Sequence, residues 1–181
     1  MSLKEITKDL HADAERSIFA KKLLSGSLSV EEYANYLWQM VLVYNGIEVA
    51  ANSQGMLLNL PDIERAHKIY QDCIELVGPN HQLKWLPETI EYYQYILSLN
   101  YDADKRHLIK AHMYCRHMGD LFGGQIIKTK VPGQGRFYQF KDVEKLKTAI
   151  RSELTDDLGD EARVAFVWAI KIMKALNGTP E

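Results

Sequence analysis

Ala111-His112-Met113-Tyr114-Cys115-Arg116-His117-Met118-Gly119-Asp120-Leu121-Phe122-Gly123-Gly124-Gln125 lies inside a stretch that otherwise reads as one long helix, from about Ala103 to Lys128. Each of its three glycines costs such a helix ~1 kcal/mol relative to alanine. That cost points to a backbone that must bend, or to something that approaches it more closely than a Cβ allows. Asp120 follows the first glycine, at a bend where its carboxylate can hold water. The spacing is not G-x-G-x-x-G and no strand precedes it, so this is no dinucleotide loop. Two readings stay open: helix packing through small residues, or a flat ligand lying on the helix backbone.

Working outward, the helical period dominates. Ser2 with Glu5 has capping-box spacing, and Leu3, Ile6, Leu10, Ala14 and Ile18 recur every three or four residues until Gly26 offers a stop. Ser29 with Glu32 repeats the signal ahead of Tyr33, Tyr36, Leu37, Met40, Tyr44 and Ile47. These stripes predict helices near 2–24 and 29–52. Pro61 opens a third, carried by Ile63, Ile69, Cys73 and Leu76 and closed by Gly78-Pro79. A fourth runs from Pro87 to about Leu99, and two more cover 141–157 and 160–177, ending at Asn177-Gly178. Val131 to Gly135 is the clearest loop. Phe137-Tyr138-Gln139-Phe140 is strand-like but too short and isolated to imply a sheet. The expected fold class is all-α, one domain over residues 1–181.

Composition agrees with that size of domain. The chain has 181 residues, 46% hydrophobic and 25% charged, so collagen-like, disordered and disulfide-stapled classes are excluded. A net charge of −2 gives no general attraction to nucleic acid or an anionic membrane. Cys73 and Cys115 have no CxxC spacing and read as buried free thiols in a reducing compartment. The start, Met-Ser-Leu-Lys-Glu-Ile, lacks the apolar run of a signal peptide, and no stretch approaches the ~18 apolar residues of a span. A soluble, cytoplasmic protein with no membrane anchor is expected.

Two other groups carry chemistry. Lys4, His11 and Glu15 share one face of the first helix, with His11 beside the buried stripe. A neutral imidazole there suits a metal or haem iron, with Glu15 behind it. On this helix alone, a half-buried histidine in an ordinary helix ion pair is the plainer reading. Lys147 and Arg151, four apart, can clamp carboxylates, though a solvated face is the default.

These signals occur together in one family. Residues 3–15, Leu-Lys-Glu-Ile-Thr-Lys-Asp-Leu-His-Ala-Asp-Ala-Glu, resemble the opening helix of the haem oxygenases, and residues 111–125 resemble the signature of their kinked distal helix. The resemblance extends from Leu3 to about Leu176. It implies a helical bundle with haem sandwiched between the first helix and the glycine-kinked distal helix. It makes His11 the proximal haem ligand and Glu15 the acid beside it. Gly119 and Gly123 become the distal glycines, Gly124 completes the bend, Asp120 is the catalytic aspartate and Arg116 belongs to the distal water network. Lys4, Tyr114, Lys147 and Arg151 match the groups that hold the haem propionates, and Phe166 matches an aromatic lining the pocket.

The implied reaction converts haem b, O2 and electrons from an external reductant into biliverdin (the IX-alpha isomer), carbon monoxide and ferrous iron. Haem is then both substrate and cofactor. Ferredoxin or another electron donor is the implied partner, with a bilin reductase downstream and a monomeric enzyme. The short chain looks like the soluble bacterial, cyanobacterial or algal branch, and its compactness suits a copy carried by a cyanophage. Three features depart from the family: Phe122 stands where serine is common, His117 where tyrosine is usual, and the acidic run of the second helix is mostly lost around Gly46-Ile47-Glu48-Val49. Two rival functions remain at this stage. A non-catalytic haem carrier or sensor needs His11 and the basic clamps but not Asp120. A thiaminase-II-like enzyme needs a nucleophilic cysteine, for which Cys115 lacks an activating base.

Overall fold

Ser29 and Glu32 close a capping box at the head of helix α4 (Val30–Ser53): the serine hydroxyl accepts from the Glu32 N–H at 3.1 Å, and the glutamate accepts from the Ser29 N–H at 2.8 Å. Of the expected stripe, Tyr36 is half-buried where it lines a cavity, and Tyr33, Leu37, Met40, Tyr44 and Ile47 are buried. So are Val43, Ala50 and Ala51, which widens the apolar surface around much of the helix. Such a helix belongs in the centre. It packs against α5 (Ala66–Val77) and α6 (Pro87–Tyr101), with Gly46 close enough to α6 that a Cβ would stand 2.7 Å from the Tyr93 ring.

The computed structural model describes residues 2–178. Met1 and residues 179–181, which complete the expected domain span and the two chain ends, lie outside the described residues. Among the described residues the architecture is all-α, with no strand. No helix among them is long and apolar enough to cross a membrane.

Several boundaries differ from the periodicity, each for a local reason. The helix expected over 2–24 is three: α1 (Leu3–Ile6), α2 (Lys8–Arg16) and α3 (Ile18–Ser25). At the first break the Thr7 hydroxyl donates back to the Leu3 carbonyl at 2.8 Å, a side-chain bond that competes with the helical ladder. At the second, Ser17 turns extended and accepts from the Ala20 N–H, capping α3. Ile18, counted in the buried stripe, is 60% exposed as a result.

The third helix starts at Ala66, not Pro61. Asp62 has a left-handed φ of 64°, and the Glu48 carboxylate of α4 accepts the Arg65 and Ala66 N–H groups that open α5. The long helix expected over 103–128 is also divided. A 3-10 turn (Arg106–Leu108) leads into α7 (Ile109–Met113), a π-helical turn (Tyr114–Met118), α8 (Gly119–Phe122) and α9 (Gly124–Ile127). Residues 137–140 begin in a 3-10 turn (Arg136–Tyr138), where the Phe137 N–H donates to Asp72 at 2.8 Å. Helix α10 (Val143–Ser152) stops short of 157, and α11 (Gly159–Leu176) closes the chain.

One buried cation ties this frame to the distal segment. Arg65 is fully buried and donates to the carbonyls of Asp62, Ile63, Phe137 and Gln139, with its guanidinium 4.1 Å from the Phe140 ring centroid. It thereby fixes the turn whose next residue, Tyr138, packs on Gly124. Replacing it leaves buried acceptors without donors. Arg65→Met is expected to lower the unfolding free energy by about 3 kcal/mol, read as a urea midpoint shift at unchanged slope.

Candidate functional site

A cavity of about 1000 Å3 opens between α1–α3, α4, the segment 114–127 and α11. Most of its apolar residues, including Phe19, Leu23, Met40, Phe166 and Ile172, are buried, whereas Lys4, Lys8, His11, Glu15 and Arg151 are exposed together with the apolar Phe122 and Ile126. The cavity therefore has an apolar floor and a charged mouth. Its volume stands at the upper end of ordinary ligand pockets, which span roughly 300–1,000 Å3.

Helix α2 presents His11 at the mouth. Its Nδ1 lies 3.6 Å from Glu15 Oε1 one turn later, and its ring lies 5.7 Å from that of Phe166. Glu15 thus stands beside the Nδ1 edge of the ring, beyond hydrogen-bond distance.

The distal segment leaves part of the cavity wall without side chains, at Gly119 and Gly123. A Cβ built on Gly119 would meet nothing within 4 Å, and one on Gly123 would meet only the Gly119 carbonyl, at 3.4 Å. Both glycines line the cavity, so a flat ligand can reach the backbone there. Gly124 also lines it, but its missing Cβ faces Tyr138, 2.5 Å from Cδ1, and serves packing. A π turn stands just before Gly119, a feature frequent at functional sites, and Gly119 and Gly123 themselves keep helical dihedrals.

Asp120 follows on α8, buried, with Oδ2 accepting from the Tyr44 hydroxyl of α4 at 2.6 Å. Burial pushes its carboxyl up to about 7, although the Tyr44 hydrogen bond and the nearby His117, Arg65 and Arg116 pull the other way. Asp120 can therefore hold a proton near neutrality.

Arg116, in the π turn, is buried against the cavity. Its Nη1 lies 3.9 Å from Met40 Sδ, and its Nε and Nη2 have no hydrogen-bond partner in the protein. Buried donors of this kind belong beside a ligand or ordered water. Burial pushes the Cys115 thiol up to about 11, which makes it a poor nucleophile and removes the basis of a thiaminase-like reading.

All the residues singled out in the sequence line this cavity except Lys147. Its ammonium sits 2.8 Å from Glu144 and 4.0 Å from the centre of the Phe122 ring, so it does not face the cavity beside Arg151 as expected. Lys4, Tyr114, Arg151 and Phe166 do line it. His117 is also outside the lining, with Nε2 3.1 Å from Glu48.

Sequence reasoning missed two partners. Tyr44 reads as one more member of a buried stripe, and nothing near it in the chain marks its bond to Asp120. His112 is the second: its Nε2 lies 2.8 Å from Glu161 Oε1 and its Nδ1 2.8 Å from the Tyr92 hydroxyl. Burial holds this imidazole below its ordinary pKa, so it is neutral. It then donates to Glu161 and accepts from Tyr92, whose ring lies under the Arg116 guanidinium at 5.4 Å.

The heme oxygenase family model matches residues 1–174. The chain belongs to the haem oxygenase family. It is 30% identical to heme oxygenase 1 of Nostoc sp., over 95% of this chain and 83% of that protein. Heme oxygenase-1 of the cyanobacterium Synechocystis sp., solved in complex with heme, superposes with a TM-score of 0.86 at 25% identity, covering 97% of this chain and 90% of that one. Heme oxygenase of Leptospira interrogans gives 0.80 at 26% identity, covering 97% and 100%. The residues present fit haem: an exposed imidazole, two glycines bare to the cavity, orphaned Arg116 donors and cations at the mouth of an apolar space.

Two stability experiments separate the roles in this haem oxygenase. Gly124→Ala must displace the Tyr138 ring and is expected to cost about 1–3 kcal/mol. Gly119→Ala, with open space at its Cβ, is expected to gain up to about 1 kcal/mol in urea unfolding. Asp120 is protonated in the fold up to about pH 7, whereas the unfolded carboxyl ionises from its ordinary value of 3.8. Its stabilising contribution is full below that value and is lost as pH rises to 7. Asp120→Asn keeps an acceptor for Tyr44 without the charge. Relative to wild type it should gain about 2 kcal/mol between pH 5 and pH 8.

Proposed function

We propose that this haem oxygenase binds haem b and opens it with O2 and external electrons to biliverdin, the IX-alpha isomer, carbon monoxide and ferrous iron. One observation carries the reading: a single cavity joins an exposed imidazole, a glycine wall and a buried carboxyl that titrates near neutrality. When bound, haem supplies the iron that activates O2 and the meso carbon at which its own ring is cut. Residues 1–181 act as one domain.

Each residue then has a task. His11 would hold the haem iron as its proximal ligand, with Glu15 one turn later beside Nδ1. Gly119 and Gly123 present backbone alone, which would let a flat ring approach the helix at those two positions. Asp120 holds a proton on its carboxyl and releases it through water organised by the unpartnered Nε–H and Nη2–H of Arg116. Phe166 packs along the floor beside His11, and Lys4, Tyr114 and Arg151 hold the carboxylates of the ring at the mouth, with Lys147 acting from behind Phe122. Ferredoxin supplies the electrons to a monomeric, cytoplasmic enzyme, and a bilin reductase consumes the product.

The test is an absorbance time course with one equivalent of hemin, then reduced ferredoxin or ascorbate in air. A histidine-type Soret band that decays as a broad biliverdin band rises is the expected result. A stable Soret band under the same reductants would leave a carrier or sensor, and no Soret shift would overturn haem binding. His11→Ala is expected to lose the histidine-type band. Asp120→Ala should still bind hemin while its biliverdin yield falls about 100-fold, and full yield from that variant would remove Asp120 from proton delivery.

A further inference from the structure

Phe122 is 48% exposed and lines the cavity mouth, an apolar ring that burial does not explain. Two cations explain it better. Lys147 and Arg151 lie one turn apart on α10, and both reach the same ring from α8: the Lys147 ammonium is 4.0 Å and the Arg151 guanidinium 5.3 Å from its centroid. Glu144 holds the Lys147 ammonium from the other side at 2.8 Å, so lysine and ring form a fixed stack behind the mouth. Arg151 alone of the two enters the cavity lining.

The consequence is geometric. Phe122 belongs to the same four-residue helix as Gly119 and Asp120. Its ring therefore ties the position of an anion-binding guanidinium to the wall that faces the reacting edge. We propose that Phe122 is a positioning residue: by seating Arg151 and parking Lys147 it sets where the carboxylates of a bound tetrapyrrole lie relative to Gly119, and hence which meso edge is presented. The proposal rests on the haem reading above and deepens it. A serine at this position, the usual residue in the family, has no π face with which to hold either cation.

The experiment compares binding of hemin and of its dimethyl ester, which lacks the carboxylate charges, to wild type, Phe122→Leu and Phe122→Tyr, together with the chromatographic isomer ratio of the biliverdin formed. Phe122→Leu is expected to weaken hemin about two- to fivefold more than the ester and to release a second isomer. Phe122→Tyr, which keeps the ring face, should restore the preference and the single isomer. Equal weakening of both ligands would make Phe122 a packing residue and overturn the proposal, as would an unchanged preference with one isomer. Thermal melting of both variants should match wild type, because the ring is half exposed. Failure of wild type to bind either ligand would instead overturn the haem reading itself, and that result appears before any variant is compared.

Discussion

A carboxyl group enclosed in protein, with a phenol donating to one oxygen at 2.6 Å and its own pKa raised to about 7, sets the terms for everything around it. Burial of a carboxylate is costly unless it is neutral or well paired, and Asp120 sits close to that boundary. Tyr44 must therefore arrive from a helix that is itself buried, which requires α4 to be apolar around much of its circumference. Glu48, one turn after Tyr44, is committed to the N–H groups opening α5 and to His117. The same helix thus anchors the distal segment from one side and α5 from the other.

The distal segment shows how stability and access are traded locally. Gly119 and Gly123 leave the helix without side chains where the cavity reaches it, at a propensity cost of ~1 kcal/mol each. Gly124, next in sequence, has a different physical reason: Tyr138 occupies the space of its Cβ. The turn that carries Tyr138 is in turn held by Arg65 and Asp72. Glycines that look equivalent in the chain therefore divide into bare wall and close packing, and only the packed one contributes to the fold.

Short-range signals were legible in the sequence, and long-range ones were not. The capping box at Ser29 gave the start of α4, and the glycine run located the distal segment because its cost is local. The breaks at Thr7 and Ser17 were hidden, since the apolar stripe continues across both while side-chain oxygens redirect the backbone. The start of α5 depends on Glu48, 17 residues earlier. Asp120 stood out, but its partner Tyr44 lies 76 residues away in a run of buried aromatics. Lys147 shares a helical face with Arg151, yet rotamers decide which of them enters the cavity, and those answer to Phe122 and Glu144. The π turn adds a residue to a helix whose composition does not record it.

The cavity floor does more than accommodate a ligand. Asp120 titrates near neutrality because its carboxyl is enclosed in protein, and that desolvation outweighs everything that pulls the other way. A wetter floor would return the group toward ordinary carboxylate behaviour, and it would then offer no proton at neutral pH. Arg116 and His117 lie close enough to lower the shift but not to cancel it. Their restraint has structural causes: the His117 Nε2 is turned to Glu48, and the Arg116 guanidinium is engaged by the Met40 sulfur and the Tyr92 face rather than by Asp120. Apolar packing and the orientation of His117 and Arg116 thus act together on one proton.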